Sequence, residues 1–165
     1  MIDTHVHIWN FAKANYDWLN GNTTILNRTH ELAELETERI HVGVTEGVLV
    51  QAANNFEDTN WMLENATKND WIKGVVGWLP LMQPEQTYTT LQEKFLHEKY
   101  FKGVRHLIHD EPDAKWLLQP AVMESLEILA EYNIPYDIVG VLPAHIETAL
   151  AVAAKIPNLK MVFDH

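Results

Sequence analysis

The sequence contains no cysteine, and this absence removes several kinds of site at once. Without cysteine there is no disulfide framework, no thiolate nucleophile and no cysteine-ligated zinc centre. Serine is nearly as scarce, because Ser125 is the only one and it lies inside a predicted helix. The usual nucleophiles of acyl transfer are therefore missing, so a hydrolase with this sequence would have to use activated water.

Positive charge is also scarce, with 12 basic against 23 acidic residues and a formal net charge of −11. Binding to a phosphate backbone needs clustered Lys and Arg, so nucleic acid is excluded as an expected partner, as is an anionic membrane surface. No apolar run approaches the roughly 20 residues that span a bilayer. The first residues also lack the pattern of a signal peptide. We therefore expect a cytoplasmic protein whose partner is a small molecule.

Short runs rich in β-branched residues recur along the chain and predict six strands. The runs are continuous rather than alternating, which is typical of strands covered on both faces. They span 2–6, 47–51, 74–79, 103–108, 135–139 and 159–164. Helical spacing between them predicts helices at 29–40, 57–67, 86–97, 116–132 and 144–154. Thr29 is the predicted N-cap of the first helix, and Gly43 lies beyond its end.

Strands and helices alternate at a spacing of roughly 30 residues, the length of a βαβ unit, which predicts a parallel sheet. An open doubly wound sheet and part of a (β/α)8 barrel both fit this pattern. Polar residues follow most of the apolar runs, which favours the barrel, because a barrel gathers the carboxyl ends of its strands into one ring. The expected fold class is α/β, an incomplete TIM-type barrel of about six βα units forming a single domain over 1–165.

Two histidines stand two residues apart in the first predicted strand, within IDTHVHIW. Residues i and i+2 of a strand share a face, so His5 and His7 point the same way and could hold a divalent metal or polarise a carbonyl. A hydrogen-bonded pair without a special role has the same spacing. His165 closes the last apolar run and should lie at the same rim, as a metal ligand, a general base or a frayed terminus.

Arg105 and His106 end the fourth predicted strand, and only one of them can point into the barrel because adjacent residues alternate faces. A strand-end Arg suits a substrate carboxylate or hydroxyl oxygens. The alternative is an ion pair with a carboxylate of the next loop, at Asp110, Glu111 or Asp113. Exposed helix positions are expected to account for four other histidines, His30, His41, His97 and His145.

Five segments together resemble a known family: IDTHVHIW, VLVQAANNFEDTNWMLENA, IKGVVGWLPL, FKGVRHLIHDEPDAKWLL and MVFDH. In this order and spacing they are similar to the amidohydrolase-2 family. Within it they resemble the sugar-lactonase branch, which acts on lactones such as those of L-fuconic, L-rhamnonic and pyrone-dicarboxylic acids. GVRH followed by DEPD and a later DH is the most specific part of the match.

The resemblance implies a barrel hydrolase that opens lactones with activated water. His5, His7 and His165 would surround the lactone carbonyl and polarise it, directly or through a divalent metal that is first expected to be zinc. Arg105 would bind substrate, with its neighbour His106 and with Gln51 lining the site. Catalysis without a metal stays open, because metal dependence varies within this branch.

Two departures from the family pattern bear on activity. The fifth strand reads YDIVGV, with Asp137 inside and none of the metal-binding histidine of the wider superfamily. The water-activating Asp of the family follows strand eight, whereas six strands are predicted here. We therefore expect a shortened barrel with weak or no lactonase activity and a homo-oligomer that covers its open edges. A decarboxylase of the same superfamily and a non-catalytic remnant that binds a metal or a partner are the alternatives.

Overall fold

The computed structural model describes residues 1–164, which form six parallel strands alternating with helices. The strands are β1 (Ile2–Val6), β2 (Glu46–Val50), β3 (Ile72–Gly77), β4 (Phe101–His106), β5 (Tyr136–Ile138) and β6 (Met161–Phe163). Their order in the sheet follows their order in the chain, and each pair of neighbours is parallel. An open doubly wound sheet would reverse its order at a switch point. The incomplete barrel expected from the strand spacing is therefore confirmed.

One helix lies in each connection between consecutive strands. These are α1 (Glu36–His41), α2 (Phe56–Lys68), α3 (Pro84–Glu93), α4 (Pro120–Glu131) and α5 (Pro143–Lys155). The last three begin with proline, which the first turn tolerates because its N–H groups have no partner within the helix. None of the helices in residues 1–164 is long and apolar enough to cross a membrane.

Two predicted helix starts are wrong. The helix expected over 116–132 begins only at Pro120, because Trp116–Leu118 forms a separate 3-10 turn before it. Thr29 is not a cap, since its hydroxyl accepts a hydrogen bond from the Phe11 N–H at 3.3 Å. Gly43 does lie beyond the end of α1, with the positive φ of 74° that glycine favours.

The main core lies between the sheet and the helix layer. Leu49, Val75 and Val104 of the sheet are fully buried there against Met62 of α2 and Leu126 of α4. Alternate strand residues face the helices, and the residues between them face the inside of the barrel. The same alternation therefore buries the apolar face of the sheet and leaves the other face for polar side chains at the rim.

A buried aspartate ties the long loop after β1 to the rest of the fold. The Asp58 carboxylate accepts hydrogen bonds from the Ala52 and Ala53 N–H groups at 2.8 and 3.3 Å and from the Tyr16 hydroxyl at 2.9 Å. Burial raises the pKa of Asp58 to about 6, although these hydrogen bonds favour its charged form. Because Tyr16 belongs to the loop and Asp58 to α2, this carboxylate fixes the loop over the carboxyl end of β2.

Replacing Asp58 with Ala should destabilise the fold, because it leaves the Tyr16 hydroxyl and the Ala52 and Ala53 N–H groups without an acceptor. Each orphaned donor costs about 1–3 kcal/mol, so we expect the free energy of unfolding in urea to fall by about 3 kcal/mol or more. Asp70→Ala is the matched control, because Asp70 is exposed and should change stability by less than about 0.5 kcal/mol. Equal stability of both variants would show that the Asp58 contacts contribute little.

The two outer strands of the sheet expose apolar side chains. β1 and β6 each pair with one neighbour only among the described strands. Ile2 is 48% exposed on β1, and Val162 and Phe163 are 48% and 49% exposed on β6. Unpaired edges that carry apolar side chains are templates for association between chains.

We predict that the chain self-associates through these edges. Light scattering should give a mass that is a multiple of the 19.0 kDa chain. Val162→Lys should shift the protein towards monomer, because a charge on an edge strand opposes pairing. Tyr88→Lys, on the exposed face of α3, is the control that should leave the mass unchanged. A stable wild-type monomer at micromolar concentration would contradict this prediction.

Candidate active site

His5 and His7 converge at the carboxyl end of β1, as the two-residue spacing predicts. Their Nε2 atoms are 3.0 Å apart, and the two rings are nearly perpendicular, at 81°. His7 Nδ1 lies 2.8 Å from the Val50 carbonyl oxygen. A carbonyl only accepts, so Nδ1 carries the proton and Nε2 of neutral His7 presents a lone pair. His5 Nε2 is therefore the donor between the two rings when both are neutral.

A buried ion pair links this histidine pair to the opposite side of the half-barrel. Arg105 Nε and Asp164 Oδ2 are 2.8 Å apart, with both side chains only 3% exposed. Neither atom has an aligned hydrogen-bond partner among residues 1–164, so the contact is an ion pair rather than a hydrogen bond. The other Asp164 oxygen, Oδ1, lies 3.8 Å from His5 Nδ1. Groups from β4, from the end of β6 and from β1 thus meet at one rim.

Arg105 does not pair with the loop that follows its strand, so the alternative reading is not what the structure has, and its contact with substrate stays a prediction. Glu111 of this loop contacts His106 Nε2 at 2.7 Å instead. Alternation along β4 explains the difference, because it turns Arg105 inward towards Asp164 and His106 outward towards the loop.

Gln51 is fully buried, and its amide supports the strand that carries Arg105. Gln51 Nε2 donates to the Arg105 carbonyl at 3.1 Å, and Arg105 Nη1 donates to the Gln51 carbonyl at 2.9 Å. Asn54 Oδ1 accepts from Gln51 Nε2 at 3.3 Å and from the Leu107 N–H at 2.9 Å. The sequence reasoning missed Asn54, although a polar residue shortly after the second strand could have marked it.

His106 belongs to the wall on the outer side of β4. Its Nδ1 accepts from Trp78 Nε1 at 3.0 Å, so Nε2 carries the proton and donates to Glu111. Its ring stacks on Trp116 with centroids 4.1 Å apart. These contacts place His106 on the wall of a cavity of about 330 Å³. His7 and Arg105 do not line this cavity but a separate one. Substrate binding by His106 stays a prediction.

A cavity of about 340 Å³ opens at the rim beside two of the predicted site residues. His7 and Arg105 are on its wall, together with His109 from the loop after β4. Its other lining residues are Trp9, Trp18, Leu26, Ala52 and Leu107. A few convergent polar groups within an apolar and aromatic wall are typical of a small-molecule site.

His165, the third predicted imidazole, lies outside the described residues. Among residues 1–164, no group of three or more His, Asp or Glu side chains has the geometry to hold a metal. Within this part of the chain, His5 and His7 supply two candidate ligand nitrogens and no complete site.

Asp137 of β5 reaches the interior below the rim, where it lines a cavity of about 710 Å³ with His5 and Asp164. Only 7% of Asp137 is exposed. Burial and the negative charge of Asp164 raise the pKa of Asp137 to about 7, although Arg105 opposes this. Burial likewise lowers the pKa of Arg105, opposed by the two carboxylates. The interior thus holds two acids around one guanidinium.

His145 is not on an exposed helix surface, so its expected exposure is wrong. It is 1% exposed, and its Nδ1 accepts from the Val141 and Leu142 N–H groups, both at 3.2 Å. The side chain satisfies backbone donors at the start of α5, a position that the helical pattern alone does not distinguish.

The six parallel strands in chain order, with polar side chains gathered at one rim, define an incomplete (β/α)8 barrel, and comparison with known proteins identifies the family. The amidohydrolase family model matches residues 2–165, so the chain belongs to the amidohydrolase family. An L-fucono-1,5-lactonase from Burkholderia ambifaria is 27% identical over 164 residues, covering 99% of this chain and 56% of the relative. An L-fucono-1,5-lactonase from Burkholderia multivorans is 29% identical over 122 residues, covering 73% of this chain and 40% of the relative. The chain therefore spans about half the length of these relatives.

Solved structures agree with this family membership. An amidohydrolase from Burkholderia multivorans with bound zinc superposes with a TM-score of 0.84 at 26% identity, over 99% of this chain and 57% of that one. A probable 2-pyrone-4,6-dicarboxylic acid hydrolase from Acinetobacter baumannii, with citric acid bound, gives 0.68 at 18% identity, over 99% and 57%. At 18% identity, the similarity to the Acinetobacter baumannii protein shows a shared fold and nothing more. The expected resemblance to the amidohydrolases is confirmed.

Arg105→Met should strongly destabilise the protein, because it leaves the buried Asp164 carboxylate without a counter-charge. Breaking a buried pair in this way typically costs about 3–5 kcal/mol, which urea unfolding at neutral pH would measure. Arg28→Met is the control, since its pair with Glu34 is exposed and should contribute little. If Arg105→Met unfolds at the same urea concentration as the wild type, the Arg105–Asp164 pair does not hold these strands together.

Proposed function

We propose that the rim site opens the lactone of a small sugar acid. In this reaction water adds across the acyl C–O bond, giving a carboxylic acid and a free hydroxyl. The observation that carries the proposal is the 3.0 Å approach of the His5 and His7 Nε2 atoms, with His7 on the wall of a cavity that Arg105 also lines. The two curated relatives, both L-fucono-1,5-lactonases, support this substrate class. They do not point to release of CO2, so decarboxylation is not proposed.

The histidine pair provides the polarising group. Negative charge develops on the lactone carbonyl oxygen as water attacks, and a positioned donor stabilises it. His5 Nε2–H, which donates to His7 in the free site, can donate to this oxygen instead. Arg105 lines the same cavity, and a guanidinium suits the oxygen atoms of a sugar acid.

Zinc fits the two imidazoles. Two nitrogens bound to one tetrahedral zinc at about 2.1 Å lie roughly 3.4 Å apart, which is close to the 3.0 Å between the two Nε2 atoms. The hydrogen bond from His7 Nδ1 to the Val50 carbonyl leaves Nε2 as the ligand nitrogen, as is usual in metal sites. We propose His165 as a third ligand from the family resemblance. Bound zinc would act as a Lewis acid towards the carbonyl.

Zinc titration tests the metal site directly. Isothermal titration calorimetry of the wild type should show one zinc per chain. His5→Ala and His7→Ala should each weaken zinc binding by about a hundredfold or more, because each removes a ligand. His97→Ala, an exposed histidine after α3, is the matched control and should bind zinc like the wild type. Equal affinity in all four proteins would place zinc elsewhere.

Ring opening of L-fucono-1,5-lactone, followed by acid release, tests the reaction. We expect the wild type to open the lactone slowly but faster than the spontaneous reaction. The rate should be slow because the chain spans only 56% of the length of the Burkholderia ambifaria relative. His7→Ala should reduce it to the spontaneous rate. A wild-type rate equal to the spontaneous rate, with and without zinc, would contradict the proposed activity. A rate near that of the relative would contradict the expected impairment.

A further inference from the structure

We infer that Asp137 is a positioning residue for Arg105. In its protonated form it allows the guanidinium to stay paired with Asp164, and in its ionised form it competes with Asp164 for the same cation. The inference rests on the proposed function only where it concerns the use of Arg105 in binding substrate.

Strand register places Asp137 next to Arg105. The two residues are direct partners between β5 and β4, and Val162 of β6 is the partner of Asp137 on the other side. Asp164 follows two residues after Val162, so it lies on the same face of the sheet. Asp137 is buried and lines the interior cavity with Asp164, and it makes no side-chain hydrogen bond within residues 1–164. Asp137 is therefore an acid that faces the interior cavity beside the Arg105–Asp164 ion pair.

The charges in this interior require one proton. Two ionised carboxylates around one guanidinium would leave a net negative charge in a buried place, which is costly. The other charged or titratable groups that line the cavity are His5 of β1 and Lys102 of β4. The Lys102 ammonium donates to the Lys99 carbonyl at 2.6 Å and does not pair with the acids. Asp164 has Arg105 at 2.8 Å and His5 at 3.8 Å, whereas Asp137 forms no ion pair within residues 1–164, so the inference places the proton on Asp137.

Ionisation of Asp137 would alter the rim site. The Arg105–Asp164 contact is close but not aligned, so a second carboxylate can draw the guanidinium away from Asp164. Arg105 Nη1 donates to the Gln51 carbonyl, and Arg105 lines the same cavity as His7, so its movement changes how substrate oxygens are held. The raised pKa of Asp137, about 7, places this change near neutral pH.

The sign of the stability effect follows from this raised pKa. Folding disfavours ionised Asp137, so the stability that its protonated form provides is fully present below the unfolded-state pKa of 3.8. That stability is lost as the pH rises through about 7. Asp137→Asn cannot ionise, so it should be more stable than the wild type above neutral pH, and this advantage should shrink in acid.

Nitrogen-15 NMR of the Arg105 Nε–H group measures whether the ionisation of Asp137 changes the surroundings of the Arg105 guanidinium. Between about pH 5.5 and 8.5, the wild-type resonance should titrate with a midpoint near 7, and the resonance in Asp137→Asn should not. The exposed Arg28 provides an internal control. A flat wild-type resonance would overturn the inference. So would an unchanged titration in Asp137→Asn, because it would assign the effect to a nearby histidine such as His5.

Two further readouts keep the inference testable. The carboxyl carbon-13 shift of Asp137 needs no variant, and a midpoint below about 5 would overturn the inference even if Asp137→Asn fails to fold. L-fuconate is the acid that opening of L-fucono-1,5-lactone would release. Its binding to the wild type should be about tenfold weaker at pH 8 than at pH 6. In Asp137→Asn, the ratio of the two affinities should be near one.

The outcomes of the L-fuconate experiment separate the two proposals. Equal wild-type affinity at both pH values would overturn the positioning role of Asp137. No binding at either value, together with the Arg105 titration, would count against the proposed function and still support the coupling between Asp137 and Arg105.

Discussion

The rest of the site depends on the buried ion pair between Arg105 and Asp164. A charge removed from water is tolerated only beside an opposite charge, so each of these side chains fixes where the other lies. Asp164 in turn faces His5, and Arg105 reaches the cavity beside His7. The pair joins the end of β4 to the end of β6 across the interior. It therefore determines which side chains meet at the rim.

Much of the fold could be predicted because its signals are local. Continuous β-branched runs marked all six strands, and β1 was predicted over the residues it occupies. The spacing of strands and helices indicated parallel pairing in chain order. The two-residue period of a strand was enough to bring His5 and His7 together. Local signals failed at the start of α4, where the apolar pattern from 116 predicted a helix that in fact begins at Pro120.

The partners within the site could not be predicted in the same way, because they are distant in sequence. For Arg105 the sequence favoured substrate contact, with the nearby loop carboxylates as the alternative, yet the fold brings it beside Asp164 at the end of β6 and Asp137 of β5. Asn54 lies close to Gln51 in the chain, but its oxygen also accepts from the Leu107 N–H, 53 residues away, and only the packing of the fold makes that second contact. Contacts of this kind depend on how strands align, which no single segment encodes.

The central claim is that His5 and His7 form the metal-binding and carbonyl-polarising part of an amidohydrolase site. Anomalous diffraction at the zinc absorption edge, from crystals of this chain grown with zinc, tests it most directly. The account predicts one strong peak within about 2.1 Å of both Nε2 atoms. Strong zinc peaks found only away from these two atoms, with the imidazoles still in mutual contact, would contradict it.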